Sequence, residues 1–150
     1  MRGSIDLVEQ NPRTGALRVT DHKTGKPPER IPAYTGGGRV LQPLLYALAG
    51  EKLLKKKVES GRLFYATERG GYQQIVIQIN PSAHRFLAKL LQNVDEAIAS
   101  GFLPPVPEKD ACRICDYRTV CGPYEEQRTT HRKDRRDERL DGLNEIRGFL

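Results

Sequence analysis

The stretch LRVTDHKTG at residues 17–25 constrains this chain more than any other. Leu17, Val19, Asp21 and Lys23 alternate with Arg18, Thr20 and His22, so a strand here sends the acid and the ammonium out of the same face. Residues 5–8 form a second apolar-alternating run with Asp6 near its start, and Asn11-Pro12-Arg13-Thr14-Gly15 between the two is turn chemistry. The two runs are therefore expected to pair as a hairpin, bringing Asp6 toward Asp21. Two carboxylates and a lysine around one point suit a hard divalent cation. The oxygens hold the metal, and the ammonium positions a water or offsets charge developing on a phosphate.

Downstream the pattern changes period. Pro27-Pro28 ends the motif strand, and the stretch through Tyr34, Gly36, Gly37 and Gly38 reads as a flexible loop on the substrate side. Residues 40–58 turn helical, with Leu41, Leu44, Leu45 and Leu48 at spacings of three and four. Gln42 and Tyr46, at i and i+4, form a polar stripe beside the apolar one. Lys52, Lys55, Lys56 and Lys57 close this helix, where cations suit the C-terminal dipole; a solvated helix end is the first reading of them and a phosphate track the second. Strands are expected at 63–67 and 74–79, joined by the turn Glu68-Arg69-Gly70-Gly71. Asn80 caps and Pro81 begins a helix reaching Ser100, with Gly101 as its stop and Phe86, Leu87, Leu90, Leu91, Val94 and Ile98 as its core stripe. His84 reads as a surface or cap residue rather than a catalytic one. Residues 103–107, LPPVP, read as a stiff extended linker, and residues 127–141, dense in both signs of charge, as a frayed helix or disorder.

The chain carries three cysteines, Cys112, Cys115 and Cys121, all within ten residues. An odd number so clustered argues against a disulfide framework and for a metal or cluster site in a reducing compartment. A zinc site completed by His131 and three unliganded thiols are the alternatives. With 37% hydrophobic and 29% charged residues, the chain can bury one core with appendages. The net charge is +6, and residues 1–121 hold 18 Lys and Arg against 12 Asp and Glu, so the excess lies in the part expected to fold. Such a domain is attracted to polyanions. No apolar run approaches the ~20 residues of a membrane span, and no secretory leader is visible, so a cytoplasmic location is the default expectation.

The residues GSID, then VTDHKTGK, then QPLLY from Gln42 to Tyr46, in this order and spacing, resemble the PD-(D/E)XK nucleases of the RecB/AddB type. The cysteine triplet resembles the distal part of the iron–sulfur site in the AddB-like members. This resemblance implies an α/β fold with a restriction-endonuclease-like core: a mixed central β-sheet flanked by helices, followed by a cysteine module. The nuclease core is expected over residues 1–103, the cysteine module over 104–123 and a charged tail over 124–150.

The resemblance also implies catalysis. Asp6, Asp21 and the backbone carbonyl of His22 would ligate Mg²⁺ or Mn²⁺, Lys23 would orient the attacking water, and Gln42 and Tyr46 would stand on the substrate side. The implied reaction is phosphodiester hydrolysis of DNA in recombinational repair, by an exonuclease rather than an endonuclease, beside a helicase partner. Cys112, Cys115 and Cys121 would hold a 4Fe–4S cluster with a fourth ligand from upstream. The chain is accordingly expected to be the distal part of a longer nuclease, inactive alone. The competing expectation is a catalytically incomplete nuclease fold or a zinc-ribbon module that binds DNA or a helicase.

Overall fold

The structure is a computed structural model that describes residues 3–28, 36–107, 110–122, 124–131 and 137–148, leaving aside the side chains of residues 129–131. Tyr34 lies outside the described residues. The chain divides into two units, residues 1–91 with 146–150, and residues 92–145.

The first unit is built on a four-stranded sheet of order β1-β2-β3-β4. Strand β1 (Leu7–Gln10) runs antiparallel to β2 (Leu17–Lys23), β2 runs parallel to β3 (Val58–Tyr65), and β3 runs antiparallel to β4 (Gln74–Gln78). The parallel step requires a crossover, which helix α1 (Gln42–Leu54) supplies. Helix α2 (Pro81–Ser100) follows β4. The mixed sheet with helices is the expected α/β architecture.

The first hairpin forms as expected, but β1 begins two residues later than the apolar run. Asn11 Oδ1 accepts the amides of Arg13 and Thr14, and Asn11 N–H donates to Ala16 O, so the turn closes on Gln10 opposite Leu17. Helix α1 is shorter than residues 40–58. Lys55 enters the left-handed region at φ 53°, and Glu51 Oε1 accepts the Val58 amide, which frees Val58 to begin β3. Strand β3 thus starts five residues before the expected 63. Its Ser60-Gly61 step, which reads as turn chemistry, is extended, and the pairing with β2 steps over Glu59.

Leu17, Val19, Leu63, Ile75 and Ile77 from one sheet face join Leu44 and Ala47 of α1 and Ala83, Phe86, Leu87 and Leu90 of α2 in a single core. Each large side chain so buried contributes about 1.5–3 kcal/mol. The capping expectation for α2 holds, since Asn80 Oδ1 accepts the Ala83 amide at 2.9 Å. Its stripe is covered only in its first half: Val94 and Ile98 remain 38% and 62% exposed.

The other sheet face is polar. Glu9 Oε2 accepts hydrogen bonds from Arg18 Nε (3.0 Å), Thr20 Oγ1 (3.1 Å) and Arg62 Nη2 (2.7 Å). The Arg18 hydrogen bond, supported by Thr20 and the charge of Arg62, holds the Glu9 carboxyl below its usual range against partial burial. Gly36, Gly37 and Gly38 all have positive φ, and a Cβ on Gly37 or Gly38 would stand 3.3 Å from Arg147 O or 3.2 Å from Ile146. This part of the expected flexible loop is therefore closely fitted.

In the second unit, residues 103–107 form neither helix nor strand. A 3₁₀ turn (Ala111–Ile114), α3 (Arg118–Cys121) and α4 (Glu125–His131) follow. Residues 132–136 lie outside the described residues, while Glu138–Leu140 and α5 (Asp141–Gly148) are helical, the first of the two alternatives expected for 127–141. The apolar anchor is Leu140, which is buried despite its charged neighbours.

His84 is neither a simple surface residue nor a cap. Its Nδ1 lies 3.1 Å from Asn80 O and its Nε2 2.9 Å from Glu51 Oε2, two acceptors that together favour the doubly protonated ring. The Glu51 hydrogen bond is the main cause that raises the His84 pKa above 6.5. A raised histidine stabilises the fold fully below its unfolded pKa and loses that contribution as pH rises through the folded one. Thermal melts should thus show a small loss of stability above about pH 6.5, under about 1 kcal/mol because the pair is partly solvated. Glu51→Gln, which keeps an acceptor for Val58 N–H, should flatten that slope; an unchanged slope would place its origin elsewhere.

Candidate active site

Strand β2 carries Asp21 and Lys23 on its core-side face, at the end away from the turn. Asp21 is only 6% exposed. Lys23 Nζ stands 2.7 Å from Asp21 Oδ2 and donates to Gln42 Oε1 at 2.5 Å. Gln42 Nε2 in turn donates to Asp21 Oδ1 at 3.2 Å and lies 3.5 Å from the Tyr46 hydroxyl. Asp21, Lys23 and Gln42 therefore close a ring. Gln42 is the first residue of α1, and Pro43 behind it suits the first helical turn, where no amide partner is needed. The helix start thus delivers the amide side chain to the strand end.

The structure brings Asp21, Lys23, Gln42 and Tyr46 together. Asp6 joins them less directly: the β1–β2 register places it opposite Asp21, but its Oδ2 accepts the His22 amide at 2.8 Å and lies 3.7 Å from His22 Nδ1. The Gly3 backbone passes over Tyr46, since a Cβ there would sit 3.5 Å from the tyrosine ring. The His22 ring points to the polar face, edge-on to Phe64 with centroids 5.8 Å apart.

Asp21 Oδ2 is buried yet accepts no well-directed hydrogen bond, despite the nearby ammonium. Its charge is met by the Lys23 ammonium, and a carboxylate oxygen keeps a further lone pair for a second cation. The donor chemistry fits a hard divalent ion held by Asp21 and Asp6, with the third site open to a backbone carbonyl such as that of His22. Among the described residues, no three His, Cys, Asp or Glu side chains converge to hold a metal unaided.

Tyr65 is a neighbour that periodicity alone does not point to. It pairs with Lys23 across the parallel β2–β3 ladder and is buried. Burial, with Asp21 adding to it and Lys23 opposing it, pushes the Tyr65 hydroxyl above its usual pKa, so it stays a neutral donor.

The three cysteines lie around the 3₁₀ turn and α3 of the second unit. All three are free; Cys115 is exposed, and the Cys112 amide donates to Glu126 Oε1 at 2.9 Å. Partial desolvation, then the Glu126 carboxylate and the two other cysteines, raise the Cys112 thiol above its usual value. The His131 side chain, the fourth ligand of the zinc alternative, lies outside the described residues.

The PD-(D/E)XK nuclease superfamily model matches residues 1–122, and the chain belongs to that superfamily. The chain is also 28% identical, over 124 residues, to the Gene 69 protein of Mycobacterium phage D29; the match covers 81% of this chain and 42% of the phage protein, so the chain spans less than half of that relative's length. No helix among the described residues is long and apolar enough to cross a membrane.

Proposed function

We propose that this chain is the catalytic part of a metal-dependent deoxyribonuclease. The observation that carries the reading is the ring of Asp21, Lys23 and Gln42 around a buried carboxylate whose Oδ2 faces the Lys23 ammonium at 2.7 Å. It stands on the Asp-x-Lys strand of a superfamily of nucleases.

A bound Mg²⁺ or Mn²⁺ would polarise the scissile phosphate and supply a hydroxide-like nucleophile. The chain's own residues do the rest. Asp21 and Asp6 would hold the ion. Lys23, fixed between Asp21 and the Gln42 amide oxygen, presents its ammonium where a water or a phosphate oxygen would gain negative charge. Gln42 sets the orientation of both partners, and Tyr46 extends the polar stripe toward substrate. The start of α1, which has no acidic residue in its first turn, adds a favourable field for a phosphate.

The finer reading is a RecB/AddB-type exonuclease acting in DNA repair and recombination beside a helicase, and it rests on the order and spacing of the three motifs. The Cys112, Cys115 and Cys121 spacing supports reading that segment as a structural iron–sulfur module. Because the ring of Asp21, Lys23 and Gln42 closes within this chain, the chain is proposed to be active by itself rather than inactive alone: the purified chain with end-labelled DNA should give cleavage that appears with Mg²⁺ or Mn²⁺ and vanishes with EDTA. Iron and acid-labile sulfide should be assayed in the same anaerobic preparation. Cleavage indifferent to EDTA would end the metal-dependent reading, and a sample carrying zinc without sulfide would end the cluster reading.

A further inference from the structure

At the far end of α1 from the ring lies a group of charges that the catalytic reading does not use. Lys52, Lys55, Lys56 and Lys57 are all exposed, and among the described residues none of them makes an ion pair. Lys56 Nζ reaches only the neutral amide oxygen of Gln10, at 3.4 Å. The carboxylate best placed to neutralise them, Glu51, is taken up by His84 and by the Val58 amide. Glu59 is the one exposed acid beside them in sequence. Most other cations of this unit's sheet behave differently: Arg18, Arg62 and Lys23 each face a carboxylate within 3.0 Å.

We propose that Lys52, Lys55, Lys56 and Lys57 form a second anchoring site for the phosphate backbone of the DNA whose scissile phosphate lies at Lys23. The proposal rests on the nuclease reading above and extends it to how the substrate lies. Its geometry comes from one rigid element. Gln42, the first residue of α1, is bonded to Lys23 and Asp21, while Lys52 lies in its last turn and Lys55 caps its end. Thirteen helical residues span about 20 Å, which is about six base pairs of duplex at ~3.4 Å per step. Strand β2 ties the same two places together, since its first residue donates from Leu17 N to Lys57 O at 3.0 Å and its last is Lys23. Four unpaired ammonium groups spaced along a helix end suit phosphates as point charges, without base readout.

A helix end that merely complements its own dipole needs one or two cations, and the effect fades within a turn. Four, with Glu59 as the one unengaged acid beside them, exceed that need. Leu53 and Leu54, 76% and 48% exposed among the lysines, raise the rival of an anionic membrane surface. The attachment of the patch to the catalytic helix favours the nucleic acid.

The test is DNA affinity of the full chain in EDTA, by fluorescence anisotropy across a salt series, so that no catalysis is needed. Lys52→Gln, Lys55→Gln, Lys56→Gln and Lys57→Gln combined should weaken binding to a 20-base-pair duplex at least about tenfold at 0.1 M salt and lower the log–log salt slope by about 3. A hairpin with a stem of about four base pairs, too short to reach from Lys23 to the patch, should lose a smaller factor in affinity than the 20-base-pair duplex does. The corresponding four Lys→Arg changes should restore the long-duplex affinity, which a folding defect would not allow. An unchanged salt slope on long DNA would overturn the proposal. So would loss of binding to phosphatidylserine vesicles with DNA affinity intact, which would assign the patch to membrane. Absence of metal-dependent cleavage by the unaltered protein would sink the nuclease reading and leave this binding result to stand or fall by itself.

Discussion

Asp21→Asn and Lys23→Ala should each lower metal-dependent DNA cleavage by about a thousandfold or more, while melting within a few degrees of the parent protein. The size of the activity loss follows from what each group does: removing one preorganised charge at a developing oxyanion, or one anionic ligand of the ion, costs on the order of 10²–10³ in rate before any loss of metal. The small stability effect follows from the geometry. Asp21 Oδ2 gains no well-directed hydrogen bond in the fold, and an asparagine keeps Oδ1 as acceptor for Gln42 Nε2. Lys23 keeps 32% of its side chain exposed, so its ammonium can be rehydrated when its partner loses charge. The expected cost is about 1 kcal/mol. Gln42→Ala should act in the same direction but less strongly, because it frees Lys23 without removing it. Parallel single-turnover cleavage and thermal melts check all three. Near-normal cleavage by Lys23→Ala would remove the lysine from the mechanism, and a collapse in melting temperature would make Asp21 a structural residue first.

Much of this arrangement is legible in the sequence because the elements that carry it are local. The alternation of Leu17, Val19, Asp21 and Lys23 survives as β2, and Gln42 and Tyr46 do share a helix face at i and i+4. The Asn80 cap of α2 is legible for the same reason. What escapes is long-range. Glu9 and Arg62 meet across 53 positions because β3 lies next to β2, and strand adjacency is a tertiary fact that no period reveals. Tyr65 reaches the site by the same pairing. The start of β3 is missed because Glu59, Ser60, Gly61 and Arg62 have turn composition, whereas the sheet accepts Gly61 for a packing reason. Within 127–141 the choice between frayed helix and disorder stays open from sequence because charges outnumber the few apolar side chains, and the buried Leu140 is what marks the helical outcome at 138–141.

That packing reason gives the second large effect. Gly61→Ala should destabilise the protein by about 3 kcal/mol and reduce cleavage about a hundredfold, whereas Gly50→Ala should be neutral or stabilising by up to about 1 kcal/mol. Both glycines lie where α1 meets the sheet, yet their surroundings differ. A Cβ on Gly61 would stand 2.6 Å from both the Cβ and the carbonyl oxygen of Pro43, a ring and a backbone that cannot swing aside. The helix start must then move away from β3, and Gln42, next to Pro43, moves with it. A displacement of about 1 Å there breaks the alignment of Lys23 with Asp21 that the chemistry needs. A Cβ on Gly50 would instead meet Val19 and Val58 methyl groups at 3.4 and 3.5 Å, ordinary contact distances, and alanine is the better helix former in mid-helix. For a chain of this size, about 3 kcal/mol corresponds to a fall of roughly 6–12 °C in Tm. If Gly61→Ala lost stability but kept full specific activity below its melting transition, α1 would not be what positions the catalytic ring, and the loop before it would have to be.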